Sequence, residues 1–553
     1  MGPLRRELAT CAVAPMRPVE WGATDYAVLG LVGLVAAVVR ALFYSGMLFS
    51  DDLTYVDAAL KLLHGDWSAA SYVGALRYGM NLPIAFSMWL FGTSEVVANL
   101  WPFFCSIAEV GVVYVVSNAW WGRRAALLSA LLLTFMPLHV HYAGRLMADA
   151  PLALFITLTF VIFWFAERRR SVRLYIGAGL AFGAIFWVKE MVMPLVGLSF
   201  LVYVLFVQSW RWVWLWMAAS ATLVIGANCL LFWYITGDPL YIASVMRAGL
   251  EKFSAAGFLP TGSYVETTPL FYVWRLFVDV RHTWLLGYLA LGGVLLALSR
   301  TARGEHEEGS QFAVAWAVAL IGVFSVALGS IDPPRLIWKQ SNYLLIFAAP
   351  LVLLATYLMS AVPHRVRILV SIVYCLGAAL LAGFAQQDVR VFTSNSRAAV
   401  DFAQQNDTAF VYGMNGAYRA ALAAKMFGTT KQPLPVVSDI ASLDTPEVPR
   451  KATAGEPHRR FAILDMQTAH WGKNALRSVA DVPSCWISRG LLESKPAQGA
   501  GSLLLQYFEQ STRIVPGDFG SIVRSKTQGL LRPQPAYVYE IPTACPPLRL
   551  PTS

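Results

Sequence analysis

Apolar runs long enough to cross a bilayer alternate with short polar breaks from about residue 27 to residue 385. A span needs about 15–25 such residues. The pattern therefore predicts about eleven membrane helices, at 27–49, 96–118, 124–139, 148–166, 173–189, 191–208, 212–235, 284–299, 312–330, 342–361 and 366–385. Two longer polar segments, 50–95 and 236–283, interrupt them. Within the first, residues 53–63 carry apolar positions at helical spacing, which predicts an amphipathic helix along a membrane surface; an ordinary loop helix is the plainer reading. Beyond 386 the pattern changes. Residues 409–412, 461–464 and 537–541 read as strands, and 396–405 and 418–427 as helices, so a small α/β domain is expected there. Heptads, internal repeats and long low-complexity tracts are not evident.

Composition agrees. Of 553 residues, 57% are hydrophobic and 14% charged, against about 25% charged in soluble domains. This is the composition of a polytopic α-helical membrane protein. The net charge of +10 does not indicate nucleic acid, because the basic residues sit in short loops between apolar spans. With the N-terminus cytoplasmic, the inside loops are 122–124, 167–173, the turn near Arg211, 299–309 and 364–367, and each is basic, as the positive-inside rule requires. The other side then receives 50–95, 140–147, the Lys189-Glu190 junction, 236–283, 331–341 and everything after 386. The expected organisation is a cytoplasmic segment 1–26, a transmembrane domain 27–385 and an extracytoplasmic domain 386–553. Residues 1–26 contain Arg5, Arg6 and Arg17 but no short apolar region with a cleavage site, so no separate signal peptide is read. Trp210, Trp212, Trp214 and Trp216 read as an interfacial belt.

The six cysteines show no CxxC or Cys/His metal spacing. Cys105, Cys229 and Cys375 lie in apolar runs as packing residues. Cys485 and Cys545 are a disulfide candidate if their domain is extracytoplasmic.

The distinctive polar residues all fall on the predicted outer side. Asp51 and Asp52 follow the first span. Arg77 and Tyr78 come later in the same segment. His139, His141, Arg145 and Asp149 surround the third-to-fourth turn, Lys189 and Glu190 interrupt an apolar stretch, and Asp332, Arg335, Lys339 and Tyr343 precede or enter a later span. A transporter more often keeps its ionisable groups at mid-membrane. Groups at span ends suit a substrate whose tail stays in lipid while its head reaches a cavity. A carboxylate accepts a proton from an attacking hydroxyl, and arginine or lysine neutralises a departing phosphate. Together they fit transfer of a group from a lipid phosphate to a hydroxyl.

The ordered series Ser50-Asp51-Asp52, Leu76-Arg77-Tyr78-Gly79, Leu90-Phe91-Gly92-Thr93-Ser94-Glu95, Trp121-Gly122-Arg123-Arg124-Ala125-Ala126, Leu146-Met147-Ala148-Asp149-Ala150-Pro151-Leu152, Trp187-Val188-Lys189-Glu190 and Asn342-Tyr343-Leu344-Leu345 before Pro350 resembles the GT-C superfamily of integral-membrane glycosyltransferases. The likeness is to the branch of the protein O-mannosyltransferases and lipid A aminoarabinose transferases, over about residues 28–385. It implies a polyprenyl-phosphate sugar donor and inverting chemistry on the extracytoplasmic face of a bacterial inner membrane. Asp51 matches the catalytic acid of that family, Asp149 its second recurring acid and Lys189 its recurring lysine, while Tyr343 stands where a tyrosine near the lipid phosphate is expected. The chain departs from the family at Asp52, where Glu is common, and at Arg77, where a lysine and two prolines are usual.

The resulting expectations are these. Asp51, Asp52 and Asp149 form the catalytic acids, with Asp52 a helper that binds a cation or orients Arg77. Arg77, Tyr78, Lys189, Glu190, Arg335, Lys339 and Tyr343 bind donor and phosphate. Each has a bland alternative: a loop cap or ion pair for Asp51, an N-cap for Asp149, a snorkelling interface residue for Lys189, interfacial anchors for Arg335 and Lys339. Asp51, Asp52, His139 and His141 are the candidate ligands of a metal, although packing fits the two histidines better. The reaction needs no cofactor or uses a divalent cation. Its acceptor is a lipid such as lipid A, a glycan or a protein. The competing classes are a flippase of a lipid-linked sugar, which predicts inverted repeats and broken helices that are not evident, and a membrane-anchored receptor or scaffold.

Overall fold

The computed structural model of the chain describes residues 22–207, 211–255, 265–266, 268–331, 334–406, 409–428, 437–440, 443, 459–471, 474, 476–512, 517–543 and 545. Most of the segment expected at 1–26 lies outside these residues, as do Trp210, Asp332 and the side chain of Arg335.

Among the described residues, eight helices are long and apolar enough to cross a membrane: Ala23–Leu42, Leu100–Trp121, Asp149–Arg169, Val172–Lys189, Trp212–Thr236, Glu308–Val326, Ser341–Ala361 and His364–Gln405. Arg123–Phe135 and Pro137–Ala143 form one further span, bent by 64°. The shorter apolar helices Met193–Tyr203 and Leu286–Ala302 occupy the two remaining expected positions. The chain is a multi-pass membrane protein. The bend corrects the expectation of unbroken spans. Pro137 has no N–H to continue the helix from Phe135, and it restarts as the first residue of a new one.

The chain divides into two compact units. One comprises residues 1–42, 61–86 and 99–382, the other 43–60, 87–98 and 383–553. Residues 43–60 and 87–98 thus group with the C-terminal residues rather than with the membrane part.

In the first unit, glycine sets how closely helices approach. Val172–Lys189 presents Gly179 and Gly183, four apart, to Leu215–Thr236. A Cβ at Gly179 would overlap the carbonyl of Met217, and one at Gly183 would lie 2.6 Å from the Val224 Cβ. This is the small-residue packing by which helices associate in lipid, where no hydrophobic driving force acts between them. The same membrane unit holds a connected polar network. Arg40, fully buried, donates through Nη2 to His139 Nδ1 (2.7 Å) and through Nε to Ser106 (2.6 Å). Because arginine only donates, His139 Nδ1 is the acceptor and Nε2–H donates to Glu109 (3.0 Å), which also accepts from Thr157 (2.9 Å). A neutral imidazole therefore joins a buried cation to a buried anion.

The helix Asp51–Leu63 forms as expected from its spacing, but Leu53, Tyr55, Val56 and Ala59 are buried within the protein instead of being left for lipid. Trp212 and Trp216 are exposed, in keeping with a belt, whereas Trp214 turns inward and donates to Glu167.

The second unit contains a five-stranded sheet with neighbours in the order Val437–Asp439, Phe410–Gly413, Arg460–Asp465, Ala536–Glu540, Ile487–Leu491. The first three strands run parallel and the last two pair antiparallel. Alternate residues of Arg460–Asp465 enter two separate cores. Ala462 and Leu464 pack with Met414, Trp486 and Tyr539, and Ile463 with Ala399, Val411 and Ala417. A sheet covered on both faces accounts for its apolar central strand. Cys485 and Cys545 are disulfide-bonded beside the first core.

Replacing Gly179 by leucine is expected to force Val172–Lys189 off Leu215–Thr236 and to lower the thermal midpoint of the detergent-purified protein by several degrees. Gly226→Leu, where nothing lies within 4 Å of the new Cβ, should leave it unchanged. Equal midpoints for the two variants would contradict this packing.

Candidate active site

Asp149 is the first residue of Asp149–Arg169 and Lys189 the last of Val172–Lys189. Consecutive antiparallel helices place these two residues at one end of the bundle, with Arg168, Arg169 and Arg173 at the other. Lys189 Nζ lies 3.1 Å from Asp149 Oδ1, and Asn342 Nδ2 donates to the same oxygen at 2.8 Å. Asp149 is 1% exposed, and its Oδ2 has no hydrogen-bond partner. The side chain does not cap its helix, so the N-cap reading of Asp149 gives way to a buried ion pair. The Lys189 ammonium also sits 4.6 Å from the centre of the Tyr343 ring, within cation–π range. Lys189 is therefore drawn inward rather than snorkelling to solvent.

The next residue, Glu190, is buried and takes Arg77 in a two-pronged ion pair, Nε to Oε2 at 3.2 Å and Nη2 to Oε1 at 3.3 Å. Gly79 makes this meeting feasible, since a Cβ there would lie 2.8 Å from the Trp187 carbonyl. Trp101 Nε1 holds the Gly79 carbonyl at 3.1 Å. Tyr78 points elsewhere. Its ring stacks on Trp67 at 6.0 Å and tilts against Phe232 at 5.7 Å in an apolar cluster.

Lys339 is fully buried, three residues before Asn342, and its Nζ has no hydrogen-bond partner. Burial pushes its ammonium below the usual lysine range. Among the described residues this ammonium has no hydrogen-bond partner, and leaving a buried ammonium unpaired is costly. Nearby in sequence, Phe347 packs edge-on against Tyr272 at 5.1 Å. Tyr272 is buried with an unpartnered hydroxyl. The helix bearing it also carries Arg275, which is buried, paired with Asp279 and stacked on Phe271. Hydrogen bonding from Arg281 holds the Asp279 carboxyl down at about 2.

Asp51 and Asp52 belong to the second unit. Asp52 is 2% exposed, and both its oxygens are occupied by backbone donors: Oδ2 accepts from Leu48 (2.6 Å) and Phe49 (3.2 Å), Oδ1 from Ser50 (2.5 Å) and Leu53 (3.0 Å). Four acceptances fill the lone pairs of a carboxylate. Asp52 is thus the organiser of this turn. Asp51 opens the helix Asp51–Leu63 and is half-buried.

His139 has both ring nitrogens engaged in the Arg40–Glu109 network, and His141 Nε2 lies 3.3 Å from Arg145. His139 keeps no ring nitrogen for a metal, while His141 Nδ1 is buried without a hydrogen-bond partner among the described residues. Among the described residues no group of three or more His, Cys, Asp or Glu is gathered for a metal.

Sequence reasoning missed Asn342 as a partner of Asp149, Glu95 as the anchor described below, and the Arg275–Asp279 pair. Asn342 and Glu95 stand inside the motifs quoted above; for Arg275 no pattern in the chain singled it out.

The family model described as dolichyl-phosphate-mannose-protein mannosyltransferase matches residues 79–233. The crystal structure of ArnT from Cupriavidus metallidurans bound to undecaprenyl phosphate superposes with a TM-score of 0.51 at 17% identity, covering 81% of this chain and 94% of that one. The apo structure of the same protein gives 0.50 at 16% identity, covering 80% and 93%. The chain resembles the GT-C membrane glycosyltransferases of the ArnT and protein O-mannosyltransferase branch. No curated protein matches its sequence significantly. The likeness to ArnT is one of fold, and it extends beyond the membrane helices to most of the chain.

Lys189→Met leaves Asp149 buried without a counter-charge. We expect a loss of about 3–5 kcal/mol, the usual cost of orphaning one member of a buried pair. The double variant Asp149→Asn/Lys189→Met should recover most of it, as read by denaturant or thermal midpoints. Additive losses would show that the two do not act as a pair.

Proposed function

We propose that this chain is an integral-membrane glycosyltransferase that moves a sugar from a polyprenyl-phosphate carrier to an acceptor hydroxyl on the extracytoplasmic face, inverting the anomeric centre. The observation that carries the reading is the set of buried cations at one end of the bundle. Lys189 and Arg77 are each held by a carboxylate, and Lys339 by none among the described residues. These charges suit a phosphate whose tail remains in lipid. The family match and the ArnT-like fold support it, as does the undecaprenyl phosphate named in that neighbour's structure.

In this mechanism Asp51 takes the proton from the acceptor hydroxyl as its oxygen attacks the anomeric carbon. The bond from that carbon to the phosphate oxygen breaks, and the electron pair leaves on the polyprenyl phosphate. Lys189, Arg77 and Lys339 neutralise the departing charge. Asp149 and Glu190 keep two of those cations in place while no donor is bound. Arg335 adds a further positive charge for the phosphate, and Tyr343 orients Lys189. A divalent cation at Asp51 is the alternative source of the same positive charge, and assays with and without chelator separate the two. The disulfide Cys485–Cys545 supports an extracytoplasmic site for the C-terminal domain, and with it a bacterial inner-membrane setting with the N-terminus inside. The acceptor is a lipid, glycan or protein hydroxyl.

A flippase for the same lipid-linked sugar is the second reading, favoured by the 64° break at Met136. In vitro transfer from a panel of radiolabelled polyprenyl-phosphate sugars decides between them. Transfer from one donor that is abolished in Asp51→Asn is the expected result. Donor binding without transfer in both proteins would move the assignment to the flippase.

The depressed Lys339 adds a pH dependence. Only the ammonium form attracts phosphate, so the donor KM should rise as pH climbs through the lowered Lys339 pKa, earlier than for an ordinary lysine. Lys339→Met should raise the donor KM by about tenfold or more, the worth of a charged hydrogen bond, and flatten that alkaline limb. An unchanged limb in Lys339→Met would show that another group titrates.

A further inference from the structure

Residues 43–53 follow a strained backbone course that the Asp52 carboxylate gathers from within and other residues hold from outside. Gly46 has φ +85°, and Phe49, which bears a side chain, has φ +63°. A non-glycine residue in the left-handed region persists only where its surroundings over-determine it. Besides Asp52, those surroundings include Glu95 and several C-terminal residues. Gln386 Nε2 and Arg390 Nη2 both donate to the Tyr44 carbonyl at 2.7 Å. Arg419 Nη1 donates to the Phe49 carbonyl at 3.1 Å, with its guanidinium 5.5 Å from the centre of the Trp471 ring. Arg397 stands 4.7 Å from the Phe49 ring centre and grips Glu95 with two hydrogen bonds, at 3.2 and 3.0 Å. Glu95 in turn accepts from the Met47 N–H at 2.6 Å. A Cβ on residue 46 would lie 2.8 Å from that same Glu95 oxygen, so only glycine fits. The contacts from Gln386, Arg390, Arg419, Arg397 and Glu95 fall on residues 44–49, just before Asp51.

We propose that the C-terminal domain acts on the reaction as a clamp: Arg397, through Glu95, and Arg419 are positioning residues that hold the strained 43–53 loop so that Asp51 is presented at a fixed place. The proposal rests on Asp51 being the catalytic base. A base displaced by about 1 Å can cost on the order of a hundredfold in rate, which gives the clamp something to act on. The Arg397–Glu95 pair is partly exposed. Such pairs contribute little to global stability, so breaking it should spare the fold.

The test uses full-length protein in nanodiscs and two readouts. Hydrogen exchange over 43–53 should speed up about tenfold or more in Arg397→Ala and Arg419→Ala, with exchange in the central sheet strands unchanged. With the polyprenyl-phosphate sugar that the wild type uses, kcat should fall about 10- to 100-fold while the donor KM moves less than about threefold. Arg397→Lys, which keeps the charge but not the two-pronged grip, should fall between. If Arg397→Ala does not fold, Glu95→Gln breaks the same pair at constant volume. Unchanged exchange would overturn the clamp. So would a loosened loop with full kcat while Asp51→Asn is inactive. If Asp51→Asn is also fully active, the catalytic assignment of Asp51 fails instead, and the clamp's effect on rate falls with it.

Discussion

A charge can be kept at the end of an apolar helix bundle only if something neutralises it, and this rule shapes the membrane unit. Asp149 and Lys189 meet at the ends of successive helices and share one carboxylate oxygen with Asn342. Glu190, one residue on, does the same for Arg77. Deeper in the bundle, Arg40 and Glu109 are reconciled through the neutral ring of His139. Each arrangement fixes helices in register, because shifting any of them would strand a charge at a cost of several kcal/mol. Lys339 is the exception: its ammonium is buried with no hydrogen-bond partner among the described residues, which is the position the proposed phosphate would satisfy.

The second unit is governed by a different constraint, the backbone of the turn before Asp51. Here the carboxylate of Asp52 gathers four N–H groups that no helix or strand would satisfy, as buried backbone donors require. Asp52 is taken up by this turn, and Asp51 opens the helix that follows it. The C-terminal sheet and its helices supply the rigid body against which that turn is held.

Much of this was legible in the sequence. Apolar length located the spans, because hydrocarbon thickness sets one simple requirement. The strands at 410–413, 460–465 and 536–540 followed from short apolar runs between turn signals. Asp149, Lys189 and Tyr343 were found because ionisable and aromatic groups at span ends are rare and therefore conspicuous, and the structure does bring these three together. What stayed hidden depends on long-range contact. That Asp52 would gather four backbone N–H groups follows from the course of residues 48–53, which no spacing encodes. The Glu95–Arg397 pair joins residues 302 positions apart, and Tyr78 looked like a site residue only because Arg77 beside it is one. The break at Pro137 was readable in principle, since proline ends a helix, but an unbroken apolar run concealed it.

The most direct test of the account is whether this protein recognises the phosphate of a polyprenyl lipid. Native mass spectrometry of the purified protein with undecaprenyl phosphate, and with undecaprenol as the uncharged control, measures that one interaction without needing the sugar or the acceptor. The account predicts binding of the phosphate and not of the alcohol, with binding lost when Lys189, Arg77 and Lys339 are replaced together by methionine. Equal binding of phosphate and alcohol, or binding untouched by the triple replacement, would contradict it.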